Sequence, residues 1–574
     1  MKKFFLLFAI LLIFLVIGLV LFIATFDLNR YKPFVIEQIE RVVGRPVTIE
    51  KLSVSFRAGI GLEIEKLAVY PGKESMKKPV ITLDEAETVL KFAPLLQRKF
   101  EWAAIRLVHP KFHLVRDKQG KIGIEGFRRE VKKTDITSSA PKPSAAAAAL
   151  PVLVDSIRID QGEIRISDRS GTPMDFTARD ISAGVENLSL LQPSQFRVRF
   201  AFLSDSPNLS LSGTSHLPAP GRDGFLKDVE MDLDLGTVKM AELIRTFPAL
   251  SEMGLKEGFT GKLSVRVPDV VLSREGVREW KANLNLTDGS LVFSELKGRL
   301  QGIILKAALD PRRLTLQSLY LTVAGGQANI SGAVGYSAQP VTSEFSADLR
   351  GLVLDELLPA PSRPEAVSLE GVLSLSLQGG ARGTSWPLIS QSLGGQGTLD
   401  LAEGRAKNLN VLRGVFQKIS VIPGLLEKLE SRLPESYAEK LTARDTVFEP
   451  INLPFVVQGG AVFFKELHVV ADSFELHGSG RLGLDGSLAC QADLVIDPNL
   501  SLALIKTVNE LEYLLIDGKR IAIPITIRGK PDELRILPDL RYIAKRVAVV
   551  KTTEVVTGLV QKALEKKGLI QKQQ

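Results

Sequence analysis

Few residues of this chain combine side chains that could catalyse a reaction. Ser75 and Lys78 fit the spacing Ser-x-x-Lys, in which a lysine amine would activate a serine for acyl transfer. They lie in a polar stretch after Pro71, not at the start of a helix, and no Ser-Asp-Asn or Lys-Thr-Gly element accompanies them. The chain also contains no nucleophile elbow, no phosphate-binding P-loop and no zincin motif. We therefore expect a protein that is not an enzyme.

The histidines and the single cysteine predict structural roles. His109 and His113 are four residues apart, but a proline lies between them in strand-like sequence, so the ligand spacing of a helix does not apply. His468 and His477 are isolated in the sequence. Cys490 lies on the apolar side of an alternating run, which favours a small buried side chain over a reactive thiol. We expect no metal ion and no cofactor.

The charge and length of the chain limit the classes of partner. The chain has 574 residues and a net charge of +8, with the charges spread along its length. At roughly 100–200 residues per domain, this length accommodates about three to four domains. Zinc-finger spacing and helix–turn–helix patterns are absent from the sequence, so we expect no nucleic-acid partner. A mild basic bias suits the anionic headgroups of a membrane surface better.

An uncharged apolar stretch, Phe4–Phe26, predicts a membrane anchor. At about 1.5 Å per residue it spans roughly 34 Å as a helix, enough to cross a hydrocarbon core of about 30 Å. It is longer than the apolar run of most signal peptides and lacks a small-residue cleavage site, although a long signal peptide is the alternative. Lys2 and Lys3 favour a cytoplasmic N-terminus, but Arg30 and Lys32 follow the stretch closely.

Helical spacing occurs in three further places. Asp27–Val43 predicts an amphipathic helix that Gly44 ends, with Pro33 in its first turn. Tyr542–Lys567 predicts a basic amphipathic helix that either contacts an anionic membrane or covers the end of a sheet. A group of short helices is expected before the last strands, at Asn408–Ile419, Pro423–Leu433 and Pro434–Leu441.

Most of the remaining chain alternates apolar and polar residues, which predicts β-strands. The alternation shifts by one residue between Leu316 and Leu319, and also between Ile49 and Leu52, where we expect a bulge or a turn. In the apolar stripe that ends at Ile527, Pro524 lacks an N–H and favours an edge strand. Tight turns are expected at Asp117–Gly120, Gln161–Gly162 and Asp288–Gly289.

Alternation gives each strand one apolar face that must be covered. The predicted helices are too few for on the order of 30 strands, which would stack to on the order of 140 Å in one sheet. We therefore expect a mainly β fold, an elongated, curled antiparallel sheet shaped like a groove. Its interior is either filled by side chains or open to acyl chains. The residues predicted to line it are Phe200, Leu233, Phe474, Leu476, Leu482, Leu484, Ile523 and Ile525.

Both ends of the chain resemble the AsmA family of bacterial envelope proteins. At the N-terminal end the resemblance rests on Asn29–Pro33, on Gly44–Val47 and on the stretch IRLVHPKFHLVRDKQG at 105–120. At the C-terminal end, Leu399–Asp497 looks like the family's C-terminal domain, with its helical insertion and the segment GSGRLGLDGSL. The part between about 150 and 390 resembles the family only in its general sequence pattern.

The resemblance implies an inner-membrane protein that projects into the periplasm, with a β-groove similar to that of bridge-like lipid transfer proteins. The implied roles are outer-membrane biogenesis and phospholipid movement between membranes, and the chain is short compared with the largest family members. The predicted regions are an anchor at 1–26, a helix and β-region at 27–130, a linker at 131–152, a β-meander at 153–390, a C-terminal domain at 391–540 and a tail at 541–574.

Two functions from different classes follow. The first is a membrane-anchored protein that handles or transfers phospholipid acyl chains along the groove. The second is a non-catalytic assembly or scaffold factor that modulates outer-membrane protein insertion, with closed and fully packed sheets. The lipid, its direction of movement and the protein partners are not determined by the sequence.

Overall fold

The computed structural model describes residues 28–55, 61–72, 78–91, 102–116, 122–124, 154–168, 176–188, 192–216, 223–247, 258–273, 276–293, 296–358, 363–530 and 533–547. The predicted anchor Phe4–Phe26, the linker at 131–152 and Ser75 lie outside these ranges. Every helix within them is too short or too polar to span a membrane. The chain divides into two compact units, Met1–Leu286 and Thr287–Gln574, here the N-terminal and C-terminal units. Both are mainly β, as predicted.

The N-terminal unit begins with a helix packed on a small sheet. Helix α1 (Lys32–Val43) follows a 3₁₀ turn (Leu28–Tyr31) and ends at Gly44, whose φ of 70° allows the left-handed cap. Its apolar residues, among them Ile36 and Ile39, pack on a core that includes Leu52 and Val69. The prediction for this helix and its end is confirmed. The first strands are β1 (Val47–Thr48), β2 (Lys51–Ser55), β3 (Gly61–Val69) and β4 (Ile81–Leu90).

The sheet of this unit continues through ten further strands and a short helix, α2 (Met240–Thr246). The strands from β8 onward pair antiparallel in chain order as far as β14. The strands are β5 (Trp102–Val108), β6 (Lys111–Arg116), β7 (Ile122–Ile124), β8 (Val154–Asp168), β9 (Phe176–Glu186), β10 (Ser194–Phe202), β11 (Leu209–His216), β12 (Gly224–Asp234), β13 (Thr260–Ser273) and β14 (Gly276–Trp280); β15 (Ala282–Val292) contains the unit boundary.

Two strands of this unit run parallel to β8, so the prediction of a purely antiparallel sheet is wrong here. The first half of β8 pairs with β5, with Ile157 beside Ile105, and its second half pairs with β6, with Ile164 beside Phe112. The segment His109–Pro110 therefore bends one edge without reversing the chain; His109 has a φ of 50°. Strands β6 and β7 do pair antiparallel as predicted, and the predicted turn Asp117–Gly120 between them lies outside the described residues.

Two predicted tight turns are bulges inside single strands. Gln161–Gly162 lies within β8, and Asp288–Gly289 lies within β15. Gln161 has a φ of 55° and Asp288 a φ of 53°, and the pairing of β8 with β9 shifts on either side of Gly162. A residue with positive φ bends a strand when the ladder continues beyond it, so the same local signal marks a bulge as well as a turn.

The C-terminal unit is an antiparallel sheet. Neighbouring strands follow chain order, except that β23 pairs with β21 and β28 pairs with β26. The two-residue strands β22 and β27 pair with β21 and β28, respectively. The strands are β16 (Arg299–Leu309), β17 (Arg313–Val323), β18 (Gly326–Gly335), β19 (Thr342–Val353), β20 (Ser368–Arg382), β21 (Gly394–Lys407), β22 (Thr446–Val447), β23 (Ile451–Gln458), β24 (Ala461–Ala471), β25 (Phe474–Gly483), β26 (Leu488–Ile496), β27 (Leu515–Ile516), β28 (Arg520–Gly529) and β29 (Arg535–Pro538).

The shift of alternation in β17 is a bulge. Leu316 lies opposite Gly332 and Leu319 opposite Ile330, with the register shift between the two pairs. The extra residue returns Leu316 and Leu319 to the same face, which keeps that face apolar across the shift.

The helices of the C-terminal unit include the predicted group near residues 408–441. They are α3 (Leu354–Leu357), α4 (Trp386–Ser392), α5 (Val411–Phe416), α6 (Leu425–Arg432), α7 (Glu435–Thr442), α8 (Pro498–Thr507) and α9 (540–547), with a 3₁₀ helix at Asn509–Leu514. In α9, Ile543 and Val547 belong to the core, so the described start of the predicted C-terminal helix covers the sheet. The rest of that predicted helix lies outside the described residues.

Strand β28 is not an edge strand, because it lies between β26 and β29. The carbonyl oxygen of Pro524 accepts a hydrogen bond from the N–H of Asp539, just past the end of β29. The backbone nitrogen and carbonyl oxygen of one residue point to the same side of a strand. The position where Pro524 lacks an N–H therefore also faces the β29 side. Proline is tolerated there because the β29 ladder begins one residue later, at Ile525.

Candidate functional site: an open apolar face in the C-terminal unit

One face of strands β17–β20 is apolar, and much of it is partly exposed, whereas Leu321 and Ala328 on the same face are buried. Directly paired residues share a face, so the register connects Leu319 to Ile330, Ile330 to Ala347, and Ala347 to Leu377. In the partly exposed part, all of the larger side chains have intermediate exposure. Leu375 and Leu377 on this face also pack against the core of the later strands. This open face consists of Leu314, Leu316, Leu319, Ile330, Val334, Phe345, Ala347, Leu349, Leu373, Leu375 and Leu377.

The residues beside Phe345 on both neighbouring strands of the open face are glycines. Gly332 lies beside Phe345 on one neighbouring strand, and Gly379 lies beside it on the other. A Cβ atom at Gly332 would lie 2.5 Å from the carbonyl oxygen of Glu344, so the strands approach too closely for any side chain there. The Phe345 ring therefore has no side chains next to it in its row, which leaves space for an apolar ligand.

The opposite face of the same strands is polar and accessible to solvent. It presents Ser346, Asp348 and Arg350 from β19. The Arg350 guanidinium donates to Asp348 across 2.6 Å, and this hydrogen bond lowers the pKa of the Asp348 carboxyl. Arg313 also pairs with Glu344 on this face. The two faces of one strand thus differ sharply in polarity, as alternation predicted.

Two short helices join the ends of these strands. The N–H of Lys297 donates to the carbonyl oxygen of Leu357, the last residue of α3, across 3.1 Å. At the other end, the Ser392 hydroxyl in α4 accepts from the N–H of Arg382 across 2.8 Å. Helix α3 is thus bonded to the segment before β16 and α4 to the end of β20, while the side chains of the open face keep their partial exposure.

The same apolar face is closed further along the sheet. Helices α5–α8 and the 3₁₀ helix Asn509–Leu514 cover the strands from β24 to β28 in one core. Four predicted groove residues lie in it, with exposed fractions of 5% for Phe474, 5% for Leu476, 0% for Ile523 and 3% for Ile525. A ligand does not reach these four side chains, because protein atoms already fill their surroundings.

The remaining predicted groove residues have other environments. Leu482 and Leu484 are 40% and 44% exposed, beyond the edge of the closed core. In the N-terminal unit, Phe200 is partly exposed and lies beside Leu209, which lies beside the buried Leu233. The predicted set is therefore not one continuous surface. The open face around Phe345 and Leu349 was missed as a candidate, although its alternation in the sequence is equally regular.

The titratable residues that the sequence singled out mostly have ordinary partners. His109 Nδ1 lies 3.0 Å from a carboxylate oxygen of Asp84, and His113 Nε2 lies 3.0 Å from the Ser167 hydroxyl. Cys490 is 3% exposed, and burial raises the pKa of its thiol. These contacts account for the three side chains as parts of the sheet.

One group of possible metal ligands was not predicted. His468, Glu475 and His477 bring one donor atom each within 4.8 Å of one another. Eight residues lie between the two histidines in the sequence, and only the register of β24 with β25 places them side by side. The signal that could have revealed them is a hairpin turn at Asp472–Ser473 with a histidine on each arm.

In comparisons with known proteins, one family model matches part of the chain. The model of the AsmA family matches residues 1–175 of the chain. No curated protein and no solved structure matches.

Proposed function

We propose, from the premise that this chain is an AsmA-family protein, that it handles or transfers phospholipid acyl chains along its apolar sheet faces. In this proposal it is an inner-membrane-anchored periplasmic protein that serves outer-membrane biogenesis. Phe4–Phe26 would hold it at the membrane, which supplies the lipid. The role is non-catalytic, since it needs a surface for acyl chains and no bond is made or broken.

The open face of β17–β20 is the observation that carries the proposal. A row of leucines, Ile330 and Phe345 stays partly exposed, while the reverse of the same strands bears charged and hydroxyl side chains. Each acyl CH₂ group removed from water contributes about 0.8 kcal/mol. Ten such groups on this face would supply about 8 kcal/mol before entropy losses, enough to hold a chain yet allow it to move.

Photo-crosslinking tests this proposal in the intact protein. The photoreactive analogue p-benzoyl-L-phenylalanine at Phe345 should yield phospholipid adducts when cells that express the full chain are irradiated. The matched control places it at Ser346, the next residue on the opposite face of β19. Mass spectrometry of the purified chain should find lipid adducts at position 345 alone. Equal adducts at both positions, or none at position 345, would refute lipid handling on this face.

A second candidate function is the non-catalytic assembly or scaffold factor for outer-membrane protein insertion. The closed core around Leu494 and Ile523, both 0% exposed, favours it for the C-terminal strands, since a packed sheet leaves no room for a lipid. An aspartate at Leu349 separates the two functions. It should block lipid handling on the open face, whereas a scaffold that uses the closed region should retain its activity.

A further inference from the structure

A hairpin at the C-terminal end of the sheet presents three metal-binding side chains on one face. Strands β24 and β25 are antiparallel, with His468 directly opposite His477 and Val469 opposite Leu476. Val469 and Leu476 point into the closed core, with exposed fractions of 6% and 5%. The alternate residues His468 and His477 therefore point outward, and so does Glu475, two residues before His477.

The donor atoms of this group converge. The two imidazole rings are stacked, with centroids 4.6 Å apart and planes 15° from parallel. A carboxylate oxygen of Glu475 lies 2.8 Å from Nε2 of His477 and 3.9 Å from Nε2 of His468. One carboxylate oxygen thus lies within reach of both imidazoles, and the strands below hold all three side chains on a packed core.

These distances match the spacing of ligands around a tetrahedral metal ion. Zn²⁺ binds histidine nitrogens and carboxylate oxygens at about 2.0–2.2 Å, which places two such ligands about 3.4 Å apart. The separations of 2.8 and 3.9 Å lie on either side of this value. Because the two ring planes are 15° from parallel, both imidazoles must turn toward the carboxylate to aim their Nε2 lone pairs at one ion. Two imidazoles and one carboxylate form a donor set that zinc uses widely.

The surroundings leave room for a fourth ligand. Asp493 on β26 lies directly opposite His477, on the same outer face, and is exposed. The side chains of His468, His477 and Glu475 are 57%, 47% and 40% exposed, so an ion or a water molecule reaches them without any rearrangement of the backbone.

We propose that His468, Glu475 and His477 bind one divalent transition-metal ion, with Zn²⁺ as the best fit, on the outer face of the closed region. The fourth position is open to water or to Asp493. Bound metal would join the two strands across the hairpin and stabilise the folded form by its binding free energy. This site is independent of the open apolar face and of lipid handling.

Zinc binding to the full chain, expressed without a polyhistidine tag, tests the proposal. After treatment with EDTA and buffer exchange, the chain is titrated with ZnCl₂ by calorimetry, and bound zinc is measured by mass spectrometry after desalting. We expect one Zn²⁺ per chain, and His468→Ala and His477→Ala should each weaken binding at least about tenfold. No zinc binding by the unmodified chain, or unchanged binding by His477→Ala, would overturn the proposal.

A matched variant controls for an isolated histidine–carboxylate pair. His109 also contacts a carboxylate, that of Asp84 at 3.0 Å, but belongs to no group of three possible ligands among the described residues. His109→Ala should therefore bind zinc like the unmodified chain. Loss of binding in His109→Ala would place the metal elsewhere and refute the assignment.

A second measurement needs no variant that could misfold. Co²⁺ in a tetrahedral site of nitrogen and oxygen ligands absorbs visible light strongly, whereas hydrated Co²⁺ absorbs weakly. Titration of the unmodified chain with CoCl₂ should produce this band and saturate at one equivalent, and Zn²⁺ should displace it. A spectrum that stays that of hydrated Co²⁺ would mean that the three side chains make an ordinary polar contact.

Discussion

Within the C-terminal unit, strands β17–β20 and strands β24–β28 carry the same alternating pattern but differ in what covers them. Leu349 on β19 is partly exposed, whereas Leu494 on β26 is 0% exposed. Each is a leucine on the apolar side of a central strand. The difference comes from the helices: α5–α8 supply buried side chains to the core on the second group, whereas α3 and α4 supply none to it.

This comparison shows that one amphipathic sheet can serve two purposes. Where helices fill the apolar side, the sheet is a stable core. Where they do not, apolar side chains of intermediate exposure remain side by side, which makes this face a candidate site for ligands or partners. The proposed functions divide along the same line, lipid handling on the open strands and scaffolding on the closed ones.

The largest effect is expected from matched aspartate substitutions in the two regions. Leu494→Asp places an unpaired carboxylate in the closed core and should lower the free energy of unfolding by at least about 3 kcal/mol. Leu349→Asp places it where water has access, so the loss should stay below about 1.5 kcal/mol. Urea unfolding followed by far-ultraviolet circular dichroism measures both. Similar losses in the two variants would show that the open face is packed in solution.

A smaller effect is expected from a methyl group added at Gly332, which lies beside Phe345 on the open face. Gly332→Ala brings a Cβ to 2.5 Å from the carbonyl oxygen of Glu344 and should destabilise the unit by about 1–3 kcal/mol. Gly414→Ala is the matched control, because nothing lies within 4 Å of its added Cβ in α5. That control should gain roughly 0.5–1 kcal/mol. Thermal unfolding compares the two, and a neutral Gly332→Ala would contradict the close approach of the strands.

The smallest effect is expected in an experiment that uses the reactivity of two cysteine thiols to compare solvent access to the closed core and to the open face. Cys490 is buried and burial raises the pKa of its thiol, so it should resist alkylation by iodoacetamide at neutral pH in the folded chain. A cysteine introduced by Leu349→Cys should react, and bound phospholipid should slow that reaction. Peptide mass spectrometry quantifies both thiols in one sample. Fast labelling of Cys490 would show that the closed core opens readily.

The sequence was a good guide to local structure. The spacing of apolar residues correctly placed helix α1 and its end at Gly44, and it also placed α5–α7. The helix α8 was missed, although Asp497 followed by Pro498 is a helix-start signal: the Asp497 carboxylate accepts from the N–H groups of Asn499 and Leu500. These features depend on residues within one or two turns of each other, which is why a single chain reveals them.

Turn signals were less reliable, because they describe one residue's backbone and not the path of the chain. Gln161–Gly162 and Asp288–Gly289 bend strands without reversing them, since β8 and β15 each continue on both sides of the bend. The parallel pairing of β8 with β5 and β6 was likewise invisible, as it joins segments far apart in the sequence.

The alternation by itself determined that this protein is mainly β and which side of each strand is apolar, because successive side chains point to opposite faces. It did not determine which apolar sides are covered, since Ile523 and Phe345 follow equally regular patterns and differ in the helices packed against them. It also did not place His468 beside His477, which required the register of two strands. Whether helices pack on an apolar face, and which residues of two strands lie opposite each other, both depend on contacts between distant segments. Only the tertiary structure therefore decides them.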